Sequence, residues 1–336
     1  GVIGAPDELC DFEKFENLAF DTITGDADVG ECYDGPLADW VPHLGPNCLS
    51  RLSYVRHALV EGLREEARIG INPFKVGLSA ATDTHNGMAG GVAERTYPGH
   101  LGIGDATAEQ RVQYDREIPG NNSNNPGGLI GVWAEENSRD ALFDAMERKE
   151  VFGTSGPRMR VRFFGSWDYP EDLCGASDAV AQSYAGGVPM GSDLPAKGGD
   201  APVFVAMATQ DPGTGADPGT PLQRLQVVKG WADDDGQQHQ RVYDVAGSPD
   251  NGASVDLGTC ERRGSGHESL CSVWRDPEFD PDVSAVYYLR AVENPSCRYS
   301  TWQCLTLPEA DRPEECSAPP IDPVIQERAW SSPLWY

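Results

Sequence analysis

The sequence predicts an α/β region over residues 1–157, followed by a β-rich region over residues 158–336 that most simply forms a β-sandwich. The first region has the order helix, short strand, long loop and helix, which is one unit of an α/β barrel or a layered α/β sheet. The second has several spaced strand-like runs and no helical pattern between them. A chain of 336 residues is long enough for two such regions.

The first region contains two predicted helices and one predicted strand. Apolar residues at spacings of three and four predict an amphipathic helix from Ser50 to Gly70. The apolar run Phe74–Ala81 predicts a short buried strand, and residues 86–128 read as a long loop. A second helix is predicted over Ser138–Glu150, with Asn137 as its N-cap. Ligands in α/β folds gather at the carboxyl ends of strands, so the residues after the strand are candidates for function.

The second region begins with a clear alternation after Gly156–Pro157. Met159, Val161 and Phe163 alternate with arginines, which is the period of a half-buried strand. Four further strand-like runs follow, separated by turn-rich segments: Val203–Thr209, Leu222–Lys229, Arg241–Val245 and Ala285–Val292.

The composition excludes two classes of protein. With 53 acidic and 26 basic residues, the formal charge is −27, which repels nucleic acid and anionic lipid. We therefore expect no nucleic-acid partner. No run approaches the roughly 18 consecutive apolar residues of a transmembrane helix, so we expect no membrane span.

The cysteines indicate an oxidising compartment. There are nine, none in a C-x-x-C pair, and most lie in loop-like sequence: Cys10, Cys32, Cys48, Cys174, Cys260, Cys271, Cys297, Cys304 and Cys316. This placement favours disulfides and a periplasmic or extracellular location, whereas reduced buried thiols are the alternative. The predicted pairs are Cys260 with Cys271 and Cys297 with Cys304, which close short loops. An odd count leaves at least one thiol without a partner in the chain.

The stretch ATDTHNG contains the first candidate for chemistry. Asp83 and His85 stand one residue apart after the predicted strand, and residues i and i+2 of an extended strand tip point the same way. A carboxylate and an imidazole suit Zn, Mn or Fe, although two ligands do not complete a site. The alternative is that Asp83 caps the next turn and His85 is only a polar neighbour.

Other polar residues could take part in catalysis or binding. His100 lies on the long loop and could protonate a leaving group, or it is a surface histidine. Arg158 could bind an anionic substrate with Ser155 adding a hydroxyl, or it pairs with one of the many acids. Glu135 and Glu136 could act as acid or base, but carboxylates before a helix are also favoured electrostatically.

Several segments together resemble one known family. The chain resembles the bacterial domain-of-unknown-function 3604 family from about residue 10 to its end, with the matching segments in the same order. These segments are Ser79–Gly87, Gly127–Asn137, Phe152–Arg158, Val161–Gly165, Leu225–Trp231 and Glu327–Tyr336.

The resemblance implies a metal-dependent hydrolase. The family is similar to the polymerase-and-histidinol-phosphatase (PHP) hydrolases, whose distorted α/β barrels bind two or three metal ions. Their last barrel motif is D-x-H, which maps onto Asp83 and His85. The implied substrate is a small-molecule phosphate, sulfate or carboxylic ester, the implied metals are Zn, Mn or Fe, and a β-rich region follows the barrel.

One departure from the family pattern limits what this chain does alone. Family members begin with an H-x-H motif on an earlier strand, and none of the 6 histidines here forms one. The resemblance therefore implies that the chain is the C-terminal part of a longer enzyme, whose N-terminal part is a partner or belongs to the same polypeptide. Two alternatives stay open: a non-catalytic binding module, and a structural part of a larger surface assembly.

Overall fold

The structure is a computed structural model that describes residues 55–113, 125–195, 201–215, 217–319 and 322–336, and the backbone of residues 23–24 and 49–50. The helices in these ranges are α1 Val55–Ile69, α2 Ala108–Val112, α3 Arg139–Glu147, α4 Ala179–Gly186 and α5 Tyr299–Thr306. Short 3₁₀ turns occur at Glu94–Thr96, Gly102–Asp105, Leu173–Gly175, Glu309–Asp311 and Glu314–Cys316. The strands are β1 Ile23–Thr24, β2 Leu49–Ser50, β3 Leu129–Val132, β4 Val151–Thr154, β5 Arg160–Ser166, β6 Val188–Pro189, β7 Val203–Thr209, β8 Leu222–Ala232, β9 Gln238–Gly247, β10 Ser254–Asp256, β11 Glu261–Arg263, β12 Ser269–Arg275, β13 Ala285–Glu293, β14 Ser296–Cys297, β15 Val324–Ile325, β16 Arg328–Ser331 and β17 Leu334–Trp335.

Two antiparallel sheets form the body of the described chain. The larger has 7 strands in the order β3-β4-β16-β13-β8-β9, with β17 also pairing with β13. The smaller has 4 strands in the order β12-β7-β5-β6. Two-stranded pairs are formed by β10 with β11, β14 with β15, and, in parallel, β1 with β2. The described fold is therefore β-rich and mostly antiparallel, with few helices.

The main hydrophobic core lies between the two sheets. Phe163 and Phe204 of the smaller sheet stack with a centroid separation of 5.2 Å, and Tyr287 of β13 contacts Phe204 at 4.6 Å. Leu225 of β8 and Leu289 of β13 are fully buried in the same cluster. Burial of such side chains contributes roughly 1.5–3 kcal/mol each, so this layer is the main source of stability.

Helix α1 covers the other face of the large sheet. Leu59 and Val60 pack against Val228 of β8 and Tyr288 of β13. A Cβ added at Gly230 would lie 2.6 Å from Val60, so the glycine allows the helix to approach the strand closely. Because β8 and β13 are covered on both faces, nearly all of their residues are buried. β13 is mostly apolar, whereas β8 also buries polar residues such as Gln226 and Lys229.

A smaller core covers the outer face of the four-stranded sheet. Tyr169 and Leu173 pack on Phe164 and Val205, and Val180 of α4 joins them. The Tyr169 hydroxyl donates to the carbonyl of Ser183 at 2.5 Å, which satisfies its polar group inside an apolar cluster. The order of layers is therefore helix, sheet, sheet, helix.

The strands predicted after residue 157 are confirmed, with longer bounds for three of them. The predicted runs correspond to β7, which has the predicted bounds, and to β8, β9 and β13. The predicted strand Phe74–Ala81 is wrong, because the segment forms no ladder: Leu78 N donates to the Ser332 hydroxyl and Gly128 N donates to the Ala81 carbonyl. Within the described residues there is no closed barrel.

The predicted helices exist, with different ends. The first begins at Val55 among the described residues and ends at Ile69, followed by Gly70 with φ +80. The second ends at Glu147 rather than at Glu150. Its cap was predicted wrongly, since the Ser138 hydroxyl, not Asn137, accepts from the third backbone N–H. In the described part of the chain, no helix has both the length and the apolar character needed to cross a membrane.

Strands from both sides of residue 157 belong to one sheet. β3 and β4 precede this position, and β4 pairs with β16 near the end of the chain, with Thr154 opposite Ala329. The division into regions 1–157 and 158–336 stays a prediction.

The predicted disulfides are confirmed as a class but not in their pairing. The bonds are Cys174–Cys271, Cys260–Cys297 and Cys304–Cys316. The predicted pairs Cys260–Cys271 and Cys297–Cys304 are therefore wrong, because sheet pairing places cysteines of distant segments side by side. Cys10, Cys32 and Cys48 lie outside the described residues.

Candidate functional site

The D-x-H turn is held by close backbone contacts with the loop before β3. Gly127 has φ +73, and a Cβ there would lie 2.6 Å from the Thr82 Cα, so only glycine fits without displacing the segment. The Gly128 N–H donates to the Ala81 carbonyl at 2.9 Å and holds the same two segments together. Immediately afterwards Asp83 has φ 50, a left-handed conformation that Asp tolerates better than most residues.

Asp83 and His85 face one another at the surface. Asp83 Oδ1 lies 3.8 Å from His85 Nε2, and the two side chains are 93% and 65% exposed. The structure therefore brings the two predicted metal ligands together, with room for a further group between or beside them.

His100 joins this pair. Its carbonyl accepts the His85 backbone N–H at 2.8 Å, and the two imidazole rings are 5.0 Å apart with a tilt of 34°. The buried carboxylate of Asp105 accepts from the backbone N–H groups of His100 and Leu101, which fixes the turn that carries the ring. The His100 Nδ1 is buried and has no hydrogen-bond partner among the described residues.

The donor types fit a transition metal, but the described residues do not complete a site. A carboxylate and imidazoles are suitable ligands for Zn, Mn or Fe. Across the ranges that the structure describes, no group of three or more His, Cys, Asp or Glu side chains is arranged to hold a metal ion. Catalytic metals need about three protein ligands, so Asp83 and His85 alone are insufficient.

Ser155 and Arg158 lie beyond the end of β4. The Ser155 hydroxyl donates to the Glu327 carboxylate and accepts from the Arg328 N–H at 2.7 Å, which ties β4 to β16. Arg158 is exposed, and its backbone N–H donates to Asp211 at 2.6 Å. Their assignment to substrate binding stays a prediction. Glu135 and Glu136 are exposed in the turn before α3.

A cavity of about 710 Å³ opens beside Arg158. Its walls come from five parts of the chain: residues 92–95, residues 156–158, residues 211–214 with 217–220, the β10–β11 hairpin with the Cys260–Cys297 disulfide, and the last strands with α5. The sequence did not predict this cavity, because its wall is formed by residues from distant segments and not by one segment.

Glu293 is the most unusual residue of the cavity wall. It is 1% exposed, and its Oε1 is buried without a hydrogen-bond partner in the described chain. Burial raises the pKa of this carboxyl well above its ordinary value, and the Asp211 carboxylate raises it further, whereas Arg262 acts in the opposite direction. Nothing in the local sequence Val292-Glu293-Asn294 indicates this environment.

Comparison with known proteins identifies a family. The family described as "Protein of unknown function (DUF3604)" matches the chain over residues 1–336, which is its whole length. Neither the curated proteins nor the solved structures gave a match. The chain therefore belongs to the DUF3604 family.

Proposed function

We propose that the chain is part of a periplasmic or extracellular metal-dependent hydrolase of the PHP type, acting on small-molecule phosphate, sulfate or carboxylic esters. The observation that carries this proposal is the solvent-open pair of Asp83 Oδ1 and His85 Nε2, 3.8 Å apart, with the His100 ring beside it. The resemblance to PHP hydrolases, whose last barrel motif is D-x-H, supports the same assignment.

Asp83 would bind the metal as an anion and His85 as a neutral imidazole. Bound cations of this kind acidify a water molecule and stabilise negative charge on the ester. His100 would give a proton to the leaving group, a role supported by its ring lying 5.0 Å from that of His85 and by the buried Asp105 that fixes its backbone.

The remaining ligands would come from residues beyond those described. The proposed partner is the N-terminal part of the enzyme, on the same polypeptide or on a separate chain, with the D-x-H turn as the last ligand pair of a PHP-like barrel. Two or three divalent ions would occupy the complete site. Arg158, exposed at the cavity rim, would contact an anionic substrate, while Ser155 would act mainly by holding Glu327.

The test is the metal content of the native protein. The chain is purified without chelators, together with any polypeptide that copurifies, and transition metals are measured by mass spectrometry beside an Asp83→Ala/His85→Ala variant. We expect about two ions per molecule, by analogy with two-metal hydrolases, and their loss in the variant. The samples that hold metal are then assayed with p-nitrophenyl phosphate, sulfate and acetate.

The chain offers a matched control. Asp233 and His239 form another exposed carboxylate–imidazole pair, 2.7 Å apart. An Asp233→Ala/His239→Ala variant should keep the metal. A native protein without metal, or equal metal retention by both variants, would contradict the proposal and leave the D-x-H segment as a polar turn of a binding module.

A further inference from the structure

The cavity beside Arg158 has a charge pattern separate from the D-x-H turn. Asp83, His85 and His100 are not part of its wall. Acidic side chains outnumber basic ones among the described residues that line it. The acidic residues are Glu94, Asp211, Asp217, Glu261, Glu293 and Glu327, and the basic residues are Arg95, Arg158 and Arg262.

Two of the arginines are already engaged by the wall. The Arg95 guanidinium lies 5.2 Å from the centroid of the Trp302 ring and 3.8 Å from the Asp217 carboxylate. Arg262 donates to the Thr220 hydroxyl and to the Pro218 carbonyl at 2.6 Å, so it closes the loop 211–220. An anionic ligand would therefore meet an excess of carboxylates inside the cavity.

Glu293 and Asp211 form the centre of this acidic region. The Asp211 carboxylate accepts from the backbone N–H groups of Arg158 and Gly213, at 2.6 and 2.7 Å. Glu293 has no such donor for its buried Oε1. A buried polar atom without a partner is unfavourable, and a ligand that donates hydrogen bonds and carries positive charge would satisfy both groups.

A metal ion is not the best candidate for this position. The described residues, including all those of the wall, contain no group of three or more acidic, His or Cys side chains arranged to hold one. The volume of about 710 Å³ is instead that of an organic ligand. Apolar surface beside the carboxylates comes from Val92, Pro157 and Trp302.

We propose that this cavity binds a small organic amine, whose ammonium group lies against Glu293 and Asp211 and whose apolar part lies along Trp302 and Pro157. The net charge of −27 would also concentrate cations near the protein. This inference does not depend on the proposed hydrolase activity, because Asp83, His85 and His100 are not part of the cavity wall, and the amine is assigned to Glu293 and Asp211 rather than to Arg158, the wall residue assigned above to the ester substrate.

The experiment compares three indole ligands that differ mainly in charge: tryptamine, tryptophol and indole-3-propionate. Binding to the full chain is measured by calorimetry. We expect tryptamine to bind about tenfold or more tightly than the alcohol, and the carboxylate to bind most weakly. Glu293→Gln should remove about tenfold of the tryptamine affinity, since the amide keeps the shape of the side chain but cannot become an anion beside the ammonium group.

Two further variants keep the test decisive. Asp211→Asn should weaken tryptamine binding as well, and Glu309→Gln, on an exposed turn away from the cavity, should not. Thermal unfolding shows that each variant is folded. The inference is overturned if the alcohol or the carboxylate binds as tightly as the amine, if tryptamine does not bind at millimolar concentration, or if Glu293→Gln and Glu309→Gln behave alike.

Discussion

Glu293 is a carboxylic acid that is almost completely buried. Its folded-state pKa lies above the ordinary value of 4.5, so the native state keeps a proton that the unfolded chain releases. The free energy of unfolding then falls as pH rises, because the slope follows the protons bound in the unfolded state minus those bound in the native state. The stabilisation is complete below the unfolded pKa and is lost as pH rises through the folded pKa.

The Glu293→Gln substitution should therefore remove the part of the pH dependence of the free energy of unfolding that Glu293 causes. Each unit by which the folded-state pKa of Glu293 is raised corresponds to about 1.4 kcal/mol of free energy of unfolding. As pH rises above the unfolded-state pKa of Glu293, the variant should therefore become more stable relative to the natural chain. Denaturant unfolding at about pH 5 and pH 8 measures the effect. The exposed Glu309→Gln variant serves as control and should follow the natural chain. If the difference in free energy of unfolding between Glu293→Gln and the natural chain does not widen with pH, the raised pKa of Glu293 is refuted.

At the scale of elements, the N-cap of helix α3 differs from the predicted one. The sequence placed the cap at Asn137, whereas the Ser138 hydroxyl accepts from Ala141 N at 3.3 Å. Ser138→Ala should lower the free energy of unfolding by about 1 kcal/mol, because a backbone N–H loses its partner. Asn137→Ala is the matched control, measured in the same denaturant titration. A larger loss in Asn137→Ala would restore the original prediction.

Strands were predictable where pattern and environment agree. β7 and β13 are apolar runs of strand length bounded by turns, which is the pattern typical of a strand buried on both faces. The run Phe74–Ala81 has the same composition, yet it passes beside β4 and bonds to a side chain and a loop, which composition cannot encode. A short apolar run thus does not by itself predict burial or pairing, since Phe74 and Val76 are both exposed.

The candidate site also has features that the sequence could predict and features that only the fold reveals. The proximity of Asp83 and His85 follows from their local spacing and could be predicted. The tilted contact of the His100 ring with the His85 ring depends on how the loop folds, with the buried Asp105 at its base. The cavity around Glu293 arises from segments up to about two hundred residues apart, so only the folded chain reveals it.

At the scale of the molecule, the three disulfides among the described residues connect elements that the sheets do not join directly. Cys174–Cys271 links the small outer core to β12 across 97 residues, and Cys304–Cys316 links α5 to the turn that follows it across 12. Cys260–Cys297 joins the β10–β11 hairpin to β14 at the cavity wall. They restrict the unfolded chain of a protein whose charge of −27 opposes compaction.

The lengths of these loops predict an order of stabilisation. In the chain-entropy description, a longer closed loop restricts the unfolded state more, so the 97-residue bond should contribute about 2 kcal/mol more than the 12-residue bond. We expect Cys174→Ser/Cys271→Ser to lose more free energy of unfolding than Cys304→Ser/Cys316→Ser. Both are compared with the natural chain by denaturant unfolding, and mass spectrometry checks that the other bonds remain. Equal losses, or the reverse order, would mean that native packing around each bond outweighs the restriction of the unfolded chain.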